Sequence, residues 1–377
     1  MRSSLRWLVP LAVTATVAGG VAVGSAQAGN TPDLPSRTPQ QVLASVAGSS
    51  VTALSGTVVT RADVGLPSIS GLTGGQPAAT TDAAGLLTRL LSGQNTLRVW
   101  ADGPTRQRAQ LLDPFSELDV VRNGSQVWTY ASRGNLVQHA TVPAHAKPTQ
   151  AAGGDASALA GLTPAQLADR AIAQADPTTA VTLGTPALVA GRSTYALTLT
   201  PRTTATLVGR VVVAVDAERG VPLQVKVFAR GHDTPSVETG FTSVDFGKPS
   251  ADRFSFTPPK GATVTEVPAQ AGTTPQKLPA ADRPTVRGTG WASIVQVPAS
   301  ALRDAQPAAP RSSANGSSGS GQAGGQAGGL AALQQLTTPV AGGRAISTAL
   351  LSVLFTDDGR VFAGAVPVDA LVAAAAK

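Results

Sequence analysis

Asn123-Gly124-Ser125-Gln126-Val127-Trp128-Thr129-Tyr130, continued by Arg133-Gly134-Asn135-Leu136-Val137, is the stretch from which the fold is read. Asn-Gly between two alternating runs marks a hairpin, because both central turn residues must take positive φ, and Asn and Gly do so at least cost. The arms are Leu118 to Arg122 and Gln126 to Ala131, and Arg133-Gly134-Asn135 turns the chain once more into Leu136 to Val142. Working towards the N-terminus, Leu97, Val99 and Ala101 alternate with Arg98, Trp100 and Asp102, the period-two pattern of a half-buried strand. Arg106 to Leu112 pairs with it. Together these segments predict a meander of antiparallel strands.

The flanks extend the pattern in both directions. Thr38-Pro39-Gln40-Gln41 reads as an N-cap followed by Pro at the first helical position, opening a short amphipathic helix to about Gly48 with Val42, Leu43 and Val46 on one face. Leu54 to Arg61 is a strand, Gly65 to Ala84 a Gly/Pro/Thr loop, and Leu86 to Leu91 a helical turn. After a small-residue loop from Ala144 to Gly161, Thr163-Pro164 caps a second helix, Ala165 to Gln174. Strands resume at Val181 to Leu183, Ala187 to Val189 and Ser193 to Thr200. A hairpin follows, with Leu207, Val211, Val213 and Val215 on one face of its first arm and Val221, Leu223, Val225 and Val227 on one face of its second; Gly220 suits the left-handed position of the turn. Val237 to Phe246 and Phe254 to Phe256 are expected to complete the series.

Beyond Pro258 the reading changes. Pro258 to Val286 resembles a crossing, Trp291 to Val297 a strand, and Ala305 to Gly329 a flexible Ser/Gly/Ala loop. Ile346 to Phe355 reads as one apolar strand, turning at Asp357-Asp358-Gly359 into Arg360 to Val366, with Asp369 to Ala376 as a closing helix. Such an apolar run needs cover on both sides, so this last segment is expected to pack on the main sheet. The divisions that follow are 1–28 as a signal peptide, 29–37 as a Pro-rich lead, 38–267 as the main β domain, 268–290 as a linker and 291–377 as a C-terminal extension.

Composition narrows the chemistry. Of 377 residues only 14% are charged, 42% are apolar and 4% aromatic, so a large core must be built from Val, Leu and Ala. The chain has no Cys, which removes disulfides, thiol catalysis, Cys-bound metals and a lipid-modified N-terminal Cys. Only His139, His145 and His232 are available for acid–base work. There is no G-x-S-x-G elbow, P-loop, H-E-x-x-H or dinucleotide fingerprint; Gly288-Thr289-Gly290 precedes a strand and reads as a turn. Asp357-Asp358 reads as a turn pair, and His139 as a solvent-facing strand residue. These observations point to a protein that is not an enzyme and holds neither metal nor cofactor.

The N-terminus indicates export. Arg2 and Arg6 precede an apolar run, Leu8 to Val23, and Ala26-Gln27-Ala28 is a small-x-small cleavage site. Left uncleaved, the same run is nearly long enough to anchor the protein in a membrane. Net charge is +7, and +5 without the signal, which suits anionic lipid or cell-wall polymers better than nucleic acid. Arg outnumbers Lys by 23 to 6 in a chain rich in Ala, Gly and Pro, the usage of GC-rich coding and so of an actinobacterium-like source.

The fold class expected is mainly β with a few helices (α+β). A curved antiparallel sheet, closing as an incomplete β-barrel, would carry helical lids over an apolar cavity. The same alternation also suits a filled sandwich. The Asx-Gly turn with its Trp128-Thr129-Tyr130 strand, together with Leu54-Ser55-Gly56-Thr57-Val58-Val59, resembles the LolA/RseB-like lipoprotein-carrier superfamily. So do Ala190-Gly191-Arg192-Ser193-Thr194-Tyr195-Ala196-Leu197, Ala217-Glu218-Arg219-Gly220-Val221-Pro222-Leu223 and Phe254-Ser255-Phe256-Thr257-Pro258-Pro259-Lys260-Gly261. That resemblance implies an open half-barrel whose apolar interior holds acyl chains of lipids or lipoproteins, without catalysis. Candidate lining residues from the apolar phases are Leu97, Val99, Leu111, Val213, Val225 and Val227, with Trp128 and Tyr130 as the alternatives if the other face is concave. The functional expectation is an exported envelope protein that binds acyl chains as carrier or sensor. The alternatives are an RseB-like module docking on a membrane signalling protein, and a wall-associated structural protein.

Overall fold

The computed structural model describes residues 32–65, 93–113, 116–142, 178–267, 283–298 and 337–376. The expected loop at Gly65 to Ala84, the helical turn at Leu86 to Leu91, the helix at Ala165 to Gln174 and the Ser/Gly/Ala stretch lie wholly or almost wholly outside these residues. The chain forms two compact units.

The first unit is built on a large curved sheet that stays open and does not close into a barrel. Helix α1 (Pro39–Ala47) precedes strands β1 (Ala53–Ala62), β2 (Gly93–Asp102), β3 (Arg106–Asp113), β4 (Ser116–Asn123), β5 (Gln126–Ala131) and β6 (Leu136–Thr141). There follow β7 (Thr179–Leu183), β8 (Ala187–Val189), β9 (Arg192–Pro201), β10 (Val208–Asp216), β11 (Pro222–Ala229), β12 (Val237–Asp245) and β13 (Thr263–Val267). Their order is β13-β6-β5-β4-β3-β2-β1-β12-β11-β10-β9-β7, with β8 also on β9, so β1 joins the two meanders. Its β-branched run suits a central strand. Gly56 is required there, because a Cβ would overlap the Ser243 carbonyl oxygen and the Phe241 ring at the bulge between Thr57 and Val58.

The predicted first helix is present with its cap. The Thr38 side chain accepts from the Gln41 amide at 3.2 Å, and Gln41 Oε1 accepts from the Thr38 amide at 2.8 Å, a complete capping box. Val42 is fully buried in a cluster with Tyr195, Leu197, Val213 and Val215. The β10–β11 turn lies beneath the helix. Gly220 has φ +66, and a Cβ there would overlap the Ser45 backbone.

Three readings of this region are corrected. Phe254 to Phe256 is not a strand: Ala251–Phe254 is a 3-10 turn that carries Phe254 into the sheet at 1% exposure. The crossing after Pro258 contains β13, which adds to β6 in parallel, and a further strand, Thr285–Arg287. The apolar residues of the β10–β11 hairpin do not share one face. Val213 and Val215 pack under α1, whereas Val221 and Leu223 join Ala214 and Val189 in a separate cluster, so this end of the sheet is buried on both sides.

The second unit has a six-stranded sheet ordered β14-β15-β19-β18-β17-β16. The strands are β14 (Thr285–Arg287), β15 (Ile294–Val297), β16 (Thr338–Val340), β17 (Gly343–Ser347), β18 (Ser352–Thr356) and β19 (Val361–Gly364), followed by α2 (Val368–Ala375). Leu371 of α2 packs on Ile294, Ala345, Leu354, Phe362 and Val366. Arg287 donates to the Ala374 carbonyl at 2.7 Å and Arg360 to the Ala375 carbonyl at 3.0 Å, satisfying acceptors that the helix end leaves open. Ile346 to Phe355 is two strands and not one. The Thr348 hydroxyl accepts from the Leu351 amide at 2.9 Å and donates to the Leu351 carbonyl at 2.8 Å, closing a turn inside the apolar run.

Candidate functional site

Register divides the candidate residues of the first unit between two faces. Leu97 lies opposite Val58 on one side and Leu111 on the other; Leu111 lies opposite Leu118, and Leu118 opposite Ala131. One step along the strands, Val99 lies opposite Ala109, Ala109 opposite Val120, and Val120 opposite Thr129. Phe241 faces Val58, Val225 faces Thr239 and Val227 faces Val237, which extends the same face over β12 and β11. Val58, Leu97, Leu111 and Leu118 form a buried cluster with Ala109, Ala131 and Phe241 against it. All seven come from strands of the sheet; no described helix or loop residue is among them. Val99 is equally buried, at 2% exposure.

Val213 sits apart, in the cluster under α1. Val225 also packs on that cluster, so the two apolar regions meet at β11. Sequence reading missed Val58, Leu118, Ala109 and Phe241. The first two were visible in the alternation of their strands; Phe241 was not, because the β12 bulge decides which way it points.

Trp128 and Tyr130 lie on the opposite face, where the chain covers itself. Phe256 tilts against both rings, at 5.6 Å from Trp128 and 6.1 Å from Tyr130. Phe254 is held on the same side, because Arg108, one hydrogen-bonding step away, donates to the Arg253 carbonyl at 3.1 Å. Both arginines stand over the Trp100 ring, Arg253 at 5.5 Å and Arg108 at 5.9 Å.

Two acids of this face hold cations. Arg108 donates to both Asp119 oxygens, at 2.7 and 3.1 Å, with Asp119 2% exposed. Burial pushes the Asp119 carboxyl above its ordinary pKa, against the hydrogen bonds and charge of Arg108, which pull it down. Asp102 takes Arg106 at 2.5 Å and Lys248 at 3.5 Å.

His139 is not solvent-facing as read from the sequence. It stacks on Trp128 at 3.8 Å, with Nδ1 2.8 Å from Oε2 of Glu266 and Nε2 2.5 Å from Oε1 of Gln126. Standing on β6, it has partners in β5 and β13, so it ties the parallel edge strand to the meander. Asp216, 1% exposed, accepts from Arg192, and its Oδ1 caps the Glu218 and Arg219 amides of the hairpin turn at 3.1 and 2.6 Å. The hydrogen bond to Asp216, joined by one to the Glu218 carboxylate at 2.8 Å, pushes the Arg192 guanidinium well above its ordinary range. Among the described residues no group of three or more His, Asp or Glu side chains is placed to hold a metal ion.

In the second unit, the sheet face turned from α2 carries Val286 opposite Val295, Val295 opposite Ala363, and Phe355 opposite Val361. Val286 is 65% exposed, and Val295 and Phe355 are exposed as well. Asp358 is a turn residue: it accepts from the Thr356 hydroxyl and from Arg360, which lower its pKa in that order of size. No described helix is long and apolar enough to cross a membrane.

No family model and no curated protein matches this chain. Solved structures do match. The MucA/MucB complex from Pseudomonas aeruginosa aligns at 16% identity and TM-score 0.41, over 88% of this chain and 95% of that one. An uncharacterized conserved protein from Thermus thermophilus aligns at 13% identity and TM-score 0.33, over 60% and 98%. A LolA superfamily protein from Nitrosomonas europaea aligns at 9% identity and TM-score 0.21, over 59% and 99%. Of these three, the Nitrosomonas europaea protein bears the LolA name, and each likeness is one of fold alone.

Proposed function

We propose that the protein is a non-enzymatic, exported envelope protein that holds the acyl chain of a lipid or lipoprotein against the Leu97 face of its large sheet. The observation that carries this reading is the division of the sheet between its faces. The Trp128 face is covered in part by residues 251–256, which pack on a buried Arg108–Asp119 pair, whereas the opposite cluster of Val58, Leu97, Leu111 and Leu118 draws its described members from strands alone. Such a surface needs no special polar residue to retain a chain, since each buried methylene contributes about 0.8 kcal/mol. Leu97, Val99, Leu111, Val225 and Val227 line it, with Val213 at its margin under α1. Trp128 and Tyr130 serve the covered face. The signal-like N-terminus, cleaved or retained as an anchor, supports a site of action outside the cytoplasm.

The experiment is extraction of the mature protein, purified from its native host, with organic solvent, followed by mass spectrometry. A stoichiometric acylated molecule supports the proposal. A ligand-free protein that also fails to take up a fluorescent fatty acid overturns it.

The exposed Val286, Val295 and Phe355 face favours a second reading, a regulatory module that docks on a membrane protein through its second unit. Phe355→Asp with Val295→Asp would then release such a partner without changing lipid uptake.

A further inference from the structure

Arg122 stands out on the apolar face. In β4, residues 118, 120 and 122 point to the same side, so Arg122 shares the face of Leu97, Val99 and Leu111. It lies opposite Gln107 of β3 and Val127 of β5, and the row continues outward to Ala101 and Ala140. Two apolar rows follow along the strands: Val99, Ala109 and Val120, then Leu97, Leu111 and Leu118. From β1 to β6, Arg122 is the single charged residue among the described side chains of this face. The opposite face carries Arg61, Arg98, Arg106, Arg108, Asp102, Glu117 and Asp119 over the same strands.

Arg122 is also free of a carboxylate. Its Nε donates to the Gly124 carbonyl at 3.2 Å, which holds the stem at the β4–β5 turn, and no described acid pairs with it. The terminal nitrogens therefore keep their donors. Guanidinium presents a planar fork of donors matched to carboxylate or phosphate, and it is more weakly hydrated than an ammonium group. Half-buried at the end of an otherwise uncharged surface, such a group is poised for an anion that arrives with an apolar tail.

The dimensions agree. From Arg122 to Leu118 is four residues, about 13 Å at a rise of roughly 3.3 Å per residue. One leaflet of a bilayer, and so one acyl chain, spans about 15 Å.

We infer that Arg122 is the headgroup anchor of the acyl-chain site, so that the ligand is an amphiphile with one anionic group, carboxylate or phosphate, at the Arg122 row and its chain along the Val99 and Leu97 rows. This rests on the acyl-chain reading of the face and adds the chemical class of the ligand and the direction in which it lies.

The test compares three probes of one chain: oleate, 1-oleoyl lysophosphatidate and oleyl alcohol. Each is titrated into the wild-type protein, Arg122→Gln, Arg122→Lys and Arg98→Gln, with folding checked by circular dichroism. Arg98 is an exposed cation on the other face, so its variant removes the same net charge. A charged hydrogen-bond partner is worth roughly 10- to 100-fold in affinity. The wild type should prefer at least one anionic probe over the alcohol by about that factor. The preference should collapse in Arg122→Gln, persist in part in Arg122→Lys and stay intact in Arg98→Gln. Whichever anionic probe is preferred identifies the headgroup as carboxylate or phosphate. Equal binding of all three probes, or a preference that survives Arg122→Gln, overturns the anchor while leaving the acyl site standing. Failure of every probe to bind the wild type overturns both.

Discussion

Ala109→Trp is the substitution that bears hardest on the proposed site. Ala109 is half-buried on the apolar face, opposite Val99 and Val120, and packs on the Val58–Leu118 cluster. An indole there obstructs the row between the Arg122 end and the Leu97 end. Rows on one face are two residues apart, about 7 Å, which is near half of the roughly 15 Å spanned by one leaflet's chain. For an 18-carbon probe, about eight methylenes lose their seat. At about 0.8 kcal/mol each they would cost ~6 kcal/mol if fully buried. A chain lying on a surface buries only one side, so about half of that applies, ~3 kcal/mol or roughly 100-fold in affinity. The assay is fluorescence titration with a conjugated polyene fatty acid, run alongside urea denaturation, because overpacking by itself costs about 1–3 kcal/mol of stability. Arg98→Trp adds similar bulk to the opposite face and should leave affinity unchanged. Retention of probe affinity within about threefold by a folded Ala109→Trp protein, or an equal loss in Arg98→Trp, would refute the assignment of the face.

Four further expectations concern the scaffold. Gly220→Ala should destabilise by more than about 2 kcal/mol, combining the left-handed backbone cost with overlap on Ser45, and should speed amide exchange in α1; Gly191→Ala, equally left-handed but with open space around it, should cost only about 1–2 kcal/mol. Phe254→Ala should lower stability by about 3–5 kcal/mol in chemical denaturation, as expected for a large ring that is 1% exposed. Thr38→Ala breaks the capping box and should cost about 1 kcal/mol. Burial raises the Asp119 pKa above its ordinary 3.8, so the folded state binds that proton more tightly; this contribution is full below 3.8 and is lost as pH rises through the folded value. The stability of wild type relative to Asp119→Asn should therefore fall as pH rises above about 4, and a difference that grows with pH would contradict it.

The strands were legible where one residue type decides the geometry. The β4–β5 hairpin was legible from Gly124, which takes φ +63, but its central pair is Gly124-Ser125 and not Asn123-Gly124. Asn123 is the last residue of β4, opposite Gln126, and has no positive φ. Gly220 marked the β10–β11 turn for the same backbone reason. The helix at Pro39 followed from Thr38, Pro39 and Gln41 acting together. Readings failed where a long-range partner decides. Thr263-Val264-Thr265-Glu266-Val267 carries little apolar weight and is exposed throughout, yet becomes a strand because the β6 edge offers it a ladder and His139 holds Glu266. The division of the β10–β11 valines between two clusters was hidden for the same reason: alternation gives which residues share a side, not whether both sides are covered. Thr348 shows a third cause, a side-chain turn inside a run whose hydrophobicity reads as continuous.

The proposed choice of binding face rests on how the chain uses its few rings. The sequence has four Trp, two Tyr and eight Phe. In the first unit Trp100, Trp128 and Tyr130 all fall on the face that residues 251–256 cover, and Phe254 and Phe256 come from the covering segment itself. Aromatic packing is strong and directional, so a face that holds these rings, together with a buried Arg108–Asp119 pair, is fixed in one arrangement. A ligand could enter there only by displacing the segment and leaving Asp119 with fewer partners. The apolar rows of the other face are built from Leu, Val and Ala around one Phe. They make weak, non-directional contacts that an alkyl chain reproduces at small cost. Arg122, the one charged group among the described side chains of this face in β1 to β6, donates its Nε to the Gly124 carbonyl and has no described acid beside it, whereas Arg108 of the opposite face is held by Asp119. The asymmetry predicts that Phe256→Ala loosens the covered face and lowers stability without creating a second site, so that probe stoichiometry remains one chain per protein; a doubled stoichiometry would show that the two faces are interchangeable.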